Sequence, residues 1–197
     1  MPTMLILNEA QTRDMYPWIR DNFPDDERRP LQMMLKLMQR GLYEVIGFYN
    51  GEIPVGYALS ILPKNNPAVL LDYLVVDERQ RGHGLGAMML SMLRNHYASR
   101  AEAILIESEN PQGAPDSNMA IRRMHFYQRA GGVQLPFRVL LWGVDYTIFA
   151  LPTRETLSEA HWDEVILGIY RQTLPAVFFR TRVSLISAEN SEDNDLC

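Results

Sequence analysis

The chain is nearly devoid of cysteine. Its single one, Cys197, is the last residue. No internal disulfide framework can form, which fits a reducing compartment. No apolar run approaches the ~20 residues that a membrane span needs. The opening Met-Pro-Thr-Met-Leu-Ile-Leu has neither the basic region nor the long apolar stretch of a secretory leader. A cytoplasmic protein with no membrane partner is expected. An excess of positive charge is missing as well. The net charge is −5, and Glu189, Glu192, Asp193 and Asp195 supply all but one of those charges. A body so close to neutral offers no basic face, so nucleic acid is not an expected partner. No His/Cys/Asp cluster has metal-ligand spacing, so no metal is expected. No Ser-His-Asp order suggests covalent catalysis.

What is present is an ordinary globular balance, 47% hydrophobic and 22% charged over 197 residues. That length suits one domain with a possible appendage. Apolar periodicity predicts helices over 9–22 and 26–40, with Gly41 as a cap. The charged run Asp25-Asp26-Glu27-Arg28-Arg29 reads as a solvated helix start. Tyr43–Tyr49 and Val55–Ile61 read as two strands joined through Asn50-Gly51. Val69–Val76 is a further strand, interrupted by Asp72, which could satisfy a nearby backbone turn or pair with an arginine. A helix follows to about Ala98, then a strand Ala103–Glu109 and a helix Asn118–Ala130 stopped by Gly131-Gly132. Strands are expected at Val139–Val144 and Tyr146–Leu151. Beyond Pro152, Thr156 with Glu159 fits a capping box for another helix. Ala176–Ile186 is apolar but ambiguous between helix and strand.

The most informative segment is Arg79-Gln80-Arg81-Gly82-His83-Gly84-Leu85-Gly86, set between an apolar strand and an amphipathic helix. Glycines at every second position let backbone amides converge without side chains in the way. The helix N-terminus and two arginines add positive charge. Together they make an anion site suited to a phosphate or diphosphate. A P-loop would need a Lys-Ser or Lys-Thr after the glycines, and none follows. A nicotinamide dinucleotide fold remains a rival: Gly82-x-Gly84-x-x-Ala87 fits its fingerprint, and Glu107 lies where a ribose-binding acid would stand. Against it, Asp77 to Arg81 intervene between strand and first glycine, and some 80 residues of helix and hairpin precede the turn.

Arg79-x-x-Gly82-x-Gly84 resembles the Arg/Gln-x-x-Gly-x-Gly/Ala signature of the GNAT superfamily of N-acetyltransferases. Leu74-Val75-Val76 before it and the aliphatic helix after it continue the resemblance. Phe126-Tyr127-Gln128-Arg129-Ala130-Gly131-Gly132 is similar to the family's Phe-Tyr-x-x-x-Gly-Phe segment, with Gly132 in place of the phenylalanine. The likeness covers roughly residues 3–150. It implies an α/β fold with a mixed, mostly antiparallel central sheet flanked by helices. The resemblance implies an acetyltransferase domain at 1–151; the change of pattern after Pro152 and the acidic composition of the end add an expected extension at 152–187 packed on it and a disordered tail at 188–197.

The resemblance also implies an acyl-CoA-dependent N-acyltransferase that moves acetyl directly from acetyl-CoA to an amine acceptor. The diphosphate would rest on the amides from Arg81 to Gly86, with Arg79, His83, Leu85 and Asn118 among the cofactor contacts. The pantetheine arm would lie beside Leu74, Val75 and Val76 like an added strand. Tyr127 would protonate the departing thiolate, although it could also be a core aromatic. Glu107 and Glu109 share a strand face and are candidate bases for the amine, or simply a solvated strand end. Asp72 is a further candidate base. Asn118 could instead cap its helix. A non-catalytic acyl-CoA-binding module is the alternative of a different class. The acceptor is not readable, since fold does not fix it, and the apolar extension suits either a pocket wall or a homodimer contact.

Overall fold

The computed structural model describes residues 2–24 and 28–187. Its strands are β1 (Thr3–Ile6), β2 (Tyr43–Asn50), β3 (Ile53–Ile61), β4 (Ala68–Val76), β5 (Ala103–Glu109), β6 (Val133–Leu141), β7 (Val144–Pro152) and β8 (Val183–Ser187). Its helices are α1 (Glu9–Asn22), α2 (Leu31–Gln39), α3 (Leu85–Tyr97), α4 (Ser117–Arg129), α5 (Trp162–Thr173) and α6 (Ala176–Arg182). The eight strands belong to one sheet in the order β1-β2-β3-β4-β5-β7-β6-β8. The pairs β1–β2, β2–β3, β5–β7, β6–β7 and β6–β8 are antiparallel. The expected α/β fold with a mostly antiparallel sheet is thus present. No helix among the described residues is long and apolar enough to cross a membrane.

The chain forms two compact units. The first runs up to Lys64 and resumes over Leu71–Met92. Asn8 starts α1 with a capping box, its side chain accepting from the Gln11 amide while Gln11 returns a bond to the Asn8 amide. Gly41, at φ +68°, ends α2, with its amide on Met38 and the Leu42 amide on Leu37; that is a left-handed glycine cap. Gly51, at φ +63°, turns β2 into β3. Val45, Ile46, Phe48, Tyr57, Ala58 and Leu59 are fully buried in this hairpin. Gly56 sets the next strand: a Cβ there would lie 2.6 Å from the Val75 carbonyl oxygen and 2.8 Å from Met89 Cε. Only a residue without a side chain permits that approach.

The second unit comprises Asn65–Leu70 and the chain from Leu93 onward. Ala103, Ile104, Leu105 and Ile106 of β5 are all buried, as are Ile148, Phe149, Ala150 and Leu151 of β7. These strands are covered on both faces, which is why their sequence is continuously apolar. Trp162, Ile166, Ile169 and Tyr170 make the buried stripe of α5. The Asn66 side-chain amide donates to the Val165 carbonyl at 3.0 Å and ties that helix to the loop before β4.

Several expectations need correction. Of the run expected to be a solvated helix start, Arg28 and Arg29 precede α2, which begins only at Leu31, after Pro30, and Arg29 is largely buried in an ion pair; residues 25–27 lie outside the described residues. Thr156 and Glu159 do not open a helix, because α5 begins at Trp162, where its buried stripe begins, with His161 at the N-cap. The strands after α4 are longer than expected. Their turn is Trp142-Gly143, at φ +55° and +88°, rather than a break near Asp145. The ambiguous segment 176–186 is first helix, then strand. The four-residue β1 was not anticipated. The expected disordered tail, 188–197, lies outside the described residues.

Candidate active site

The glycine turn belongs wholly to the first unit. Leu74 and Val76 are half-buried and Val75 is buried. The Asp77 amide donates to the Val55 carbonyl at 2.9 Å, holding the strand end in place. Asp77 then caps a single 3₁₀ turn, Glu78–Gln80, by accepting from the Arg79 amide at 2.9 Å. Gly82 and Gly84 follow at φ +83° and +75°, a region that disfavours other residues. The carbonyl of Gly84 accepts the first helical bond of α3, from the Met88 amide at 3.1 Å. Gly84 is therefore the N-cap, and it has no side-chain oxygen to satisfy the amides of the first turn.

Among the described residues, no amide from Gly82 to Ala87 donates to a protein acceptor. The Arg81 amide, expected to join this set, instead closes the 3₁₀ turn on Glu78 at 3.3 Å. The available run thus starts one residue later. Its neighbourhood is positive through the end of the helix and through Arg79 and Arg81, both exposed. The Arg81 side chain donates to the Val76 carbonyl at 3.2 Å, which holds its charge over the turn. His83 is exposed and Leu85 and Gly86 are half-buried. A shallow hollow of about 110 Å³, lined by Pro2, Asn50, Val55, Gln80 and Leu85, opens on the same unit.

Asp72, also in this unit, is occupied. Arg29 donates to both carboxylate oxygens, at 2.9 and 3.2 Å, and the Tyr43 hydroxyl donates to Oδ2. The Arg29 amide donates to the Tyr73 hydroxyl at 3.0 Å. Burial works against the Arg29 charge, but Asp72 and Tyr43 more than reverse this, so its pKa is raised. Burial raises the Tyr43 phenol well above its usual range; Asp72 adds to this, and Arg29 opposes it. Asp72 is thus the centre of a buried cluster with Arg29 and Tyr43.

The second unit carries Tyr127, Glu107, Glu109 and Asn118. Tyr127 lies near the end of α4, half-buried, one turn after half-buried Met124. Its ring is 6.0 Å from that of Phe149. Burial raises the phenol's pKa and Arg123 opposes it. Among the described residues its hydroxyl has no hydrogen-bond partner. The helix ends on the two glycines: Gly131, at φ +91°, donates to Gln128, and Gly132 donates to Tyr127 at 2.9 Å. Asp116, not Asn118, caps α4, accepting from the Met119 amide at 2.9 Å. Asn118 is an exposed residue of the first turn.

Glu107 and Glu109 are opposite Ile148 and Tyr146 of β7, so they share a sheet face with those residues. Phe149, the ring that Tyr127 meets, is opposite Ile106 on the other face. The register therefore separates the two carboxylates from the Tyr127 ring by the thickness of the sheet. Glu109, at the strand end, still meets α4 through Arg123 at 3.6 Å. Glu107 accepts a hydrogen bond at Oε1 from the hydroxyl of Tyr170, on α5. Sequence reasoning missed Tyr170, and its only signal was membership of the apolar stripe of α5. It also missed Gly56 and Arg29.

Comparison with known proteins supplies the family. Residues 9–131 match the acetyltransferase (GNAT) family. No curated protein matches the sequence. Among solved structures, a Salmonella typhimurium protein with its cofactor acetyl-CoA is 15% identical, with TM-score 0.57, covering 81% of this chain and 98% of that one. The ribosomal-protein-S18-alanine N-acetyltransferase of Escherichia coli is 16% identical, with TM-score 0.57, covering 82% and 99%. A spermidine N-acetyltransferase chimera from Vibrio cholerae and hSSAT is 10% identical, with TM-score 0.59, covering 77% and 95%. At such identities the likeness is one of fold. The extent of the family match goes further: the chain belongs to the acetyltransferase (GNAT) family, whose members are acyl-CoA-dependent N-acyltransferases.

Proposed function

We propose that the protein transfers acetyl from acetyl-CoA to an amine, with the Arg79–Gly86 turn as the diphosphate seat. The observation that carries this reading is the run of amides from Gly82 to Ala87 with no protein acceptor, at a helix N-terminus beside two arginines. A diphosphate would satisfy those donors and the charge together. Leu74, Val75 and Val76 offer a strand for the pantetheine amides, and His83 and Asn118 are exposed for outer contacts. When bound, acetyl-CoA supplies an acetyl group activated as a thioester.

The chain's own residues then divide the proton work. Tyr127 holds its proton at Oη, because burial disfavours the phenolate. It is the donor proposed for the departing thiolate. Glu107 or Glu109 is the proposed acceptor of the amine's proton, directly or through a water. Two groups are assigned because the thiolate must gain a proton while the amine loses one. The acceptor class favoured by two carboxylates on one strand is a cationic amine. Similar solved structures are named for a protein alanine and for spermidine, and both kinds of acceptor belong in the test.

The experiment is an amine panel with acetyl-CoA, read by release of free thiol. It should include polyamines, small primary amines, and peptides with a free N-terminus or lysine. Amine-dependent thiol release supports the reading. Saturable binding of acetyl-CoA with no release above the amine-free rate across the panel favours a non-catalytic binding module.

A further inference from the structure

We infer that Tyr170 is a positioning residue for Glu107, so that the segment after Pro152 takes part in catalysis through this contact. The inference rests on Glu107 being the amine's base. Three observations support it. The Tyr170 hydroxyl donates to Oε1 of Glu107. Tyr170 is only 3% exposed, within a stripe formed by Trp162, Ile166 and Ile169. The helix that carries it is tied down where Asn66 donates to Val165 at 3.0 Å, and Gly168 lets the same side chain pass close by. The phenol is therefore held by packing and not by chance rotamers.

A fixed O–H donor does two things to a carboxylate. It orients the group, and it favours the ionised form, which is the form that accepts a proton. A carboxylate has about four acceptor lone pairs, so the bond from Tyr170 does not by itself prevent it from acting as a base. Titratable and charged groups set near this face in the same unit include Glu109 two residues on, Tyr146 opposite Glu109, and Arg123 reaching Glu109 from α4. Ala68–Leu70 of β4 brings none. Tyr170 meets the Glu107 carboxylate through a direct hydrogen bond from a buried donor.

The test combines the pH dependence of kcat/KM with an NMR titration of the Glu107 carboxyl carbon in the free protein. Tyr170→Phe should move both the Glu107 titration and the acid limb of kcat/KM upward by about one pH unit. Its affinity for coenzyme A should stay within twofold of the unmodified protein. Glu107→Gln should abolish the limb. If Tyr170→Phe leaves the titration in place while Glu107→Gln removes the limb, the positioning role is wrong and the base survives. If Glu107→Gln keeps the limb and the rate, the base assignment fails and the inference with it. Fluorotyrosine at position 170 is a second probe that retains the hydroxyl and the fold. As a stronger donor it should move the Glu107 titration downward, and no movement or an upward one overturns the inference.

Discussion

The amide of Gly132 donates to the carbonyl of Tyr127 at 2.9 Å, and a Cβ on Gly132 would stand 2.9 Å from that same oxygen. The bond that ends α4 and the absence of a side chain at 132 are thus one requirement. The phenylalanine of the family pattern is replaced here by a residue that lets the helix close tightly behind the proposed acid. Gly132→Ala should lower stability by about 1–3 kcal/mol through overpacking. For a chain of this size that is a Tm drop of roughly 2–4 °C per kcal/mol. Thermal denaturation followed by circular dichroism checks it, and an unchanged Tm would show that α4 relaxes freely.

Arg29 and Asp72 are both mostly buried, with side-chain exposures of 13% and 12%. Removing one partner strands the other charge, which costs about 3–5 kcal/mol for a buried pair. Asp72→Ala should therefore destabilise the fold severely, and Asp72→Asn less, because it keeps an acceptor for Tyr43. If Asp72 also served as the base, Asp72→Asn would lower the rate far beyond what its loss of stability explains. Urea unfolding beside turnover on the best acceptor of the panel separates the two outcomes.

The tyrosines set an alkaline limit. The folded pKa values of Tyr43 and Tyr127 are raised above an unfolded value near 10, chiefly by burial. A raised folded pKa contributes stability that is fully present below the unfolded value and is lost as pH rises through the folded one. Stability should therefore fall above about pH 10 and not below it on account of these groups. Tyr127→Phe should flatten part of that decline, and Tm recorded from pH 8 to 11.5 for both proteins shows whether it does. The same variant should slow turnover by ~10²-fold or more with little change in coenzyme A affinity. Unchanged turnover would remove Tyr127 from the mechanism.

The Arg123–Glu109 contact is long and half exposed, 3.6 Å with 49% and 26% exposure. Exposed pairs contribute about 0–1 kcal/mol. Arg123→Ala should change stability by less than about 1 kcal/mol, and 0.5 M salt should erase most of the difference. A larger, salt-independent loss would mean that the arginine acts through packing.

Much of this architecture was legible because local rules dominated it. α1 and β5 lie where periodicity puts them, and glycines mark the ends of α2 and α4 and the β2–β3 turn. The glycine turn was legible for the same reason: its geometry is a property of consecutive residues. What was hidden depends on partners distant in sequence. Arg29 meets Asp72 forty-three positions away, and Tyr170 meets Glu107 sixty-three away; no local pattern encodes either. β1 escaped notice because it is four residues long and mostly exposed. Thr156 and Glu159 satisfied a capping rule, but the residues between them and Trp162 offer too little apolar surface to dock a helix.

The central claim is that the Gly82–Ala87 amides bind a diphosphate. Isothermal titration of coenzyme A into the unmodified protein, Gly84→Ala and Arg81→Ala measures it most directly. Saturable binding is expected, weakened at least tenfold by Gly84→Ala, whose φ of +75° strains any side chain, and weakened in a salt-dependent way by Arg81→Ala. Absence of binding to the unmodified, folded protein, or equal affinity in all three, would contradict it.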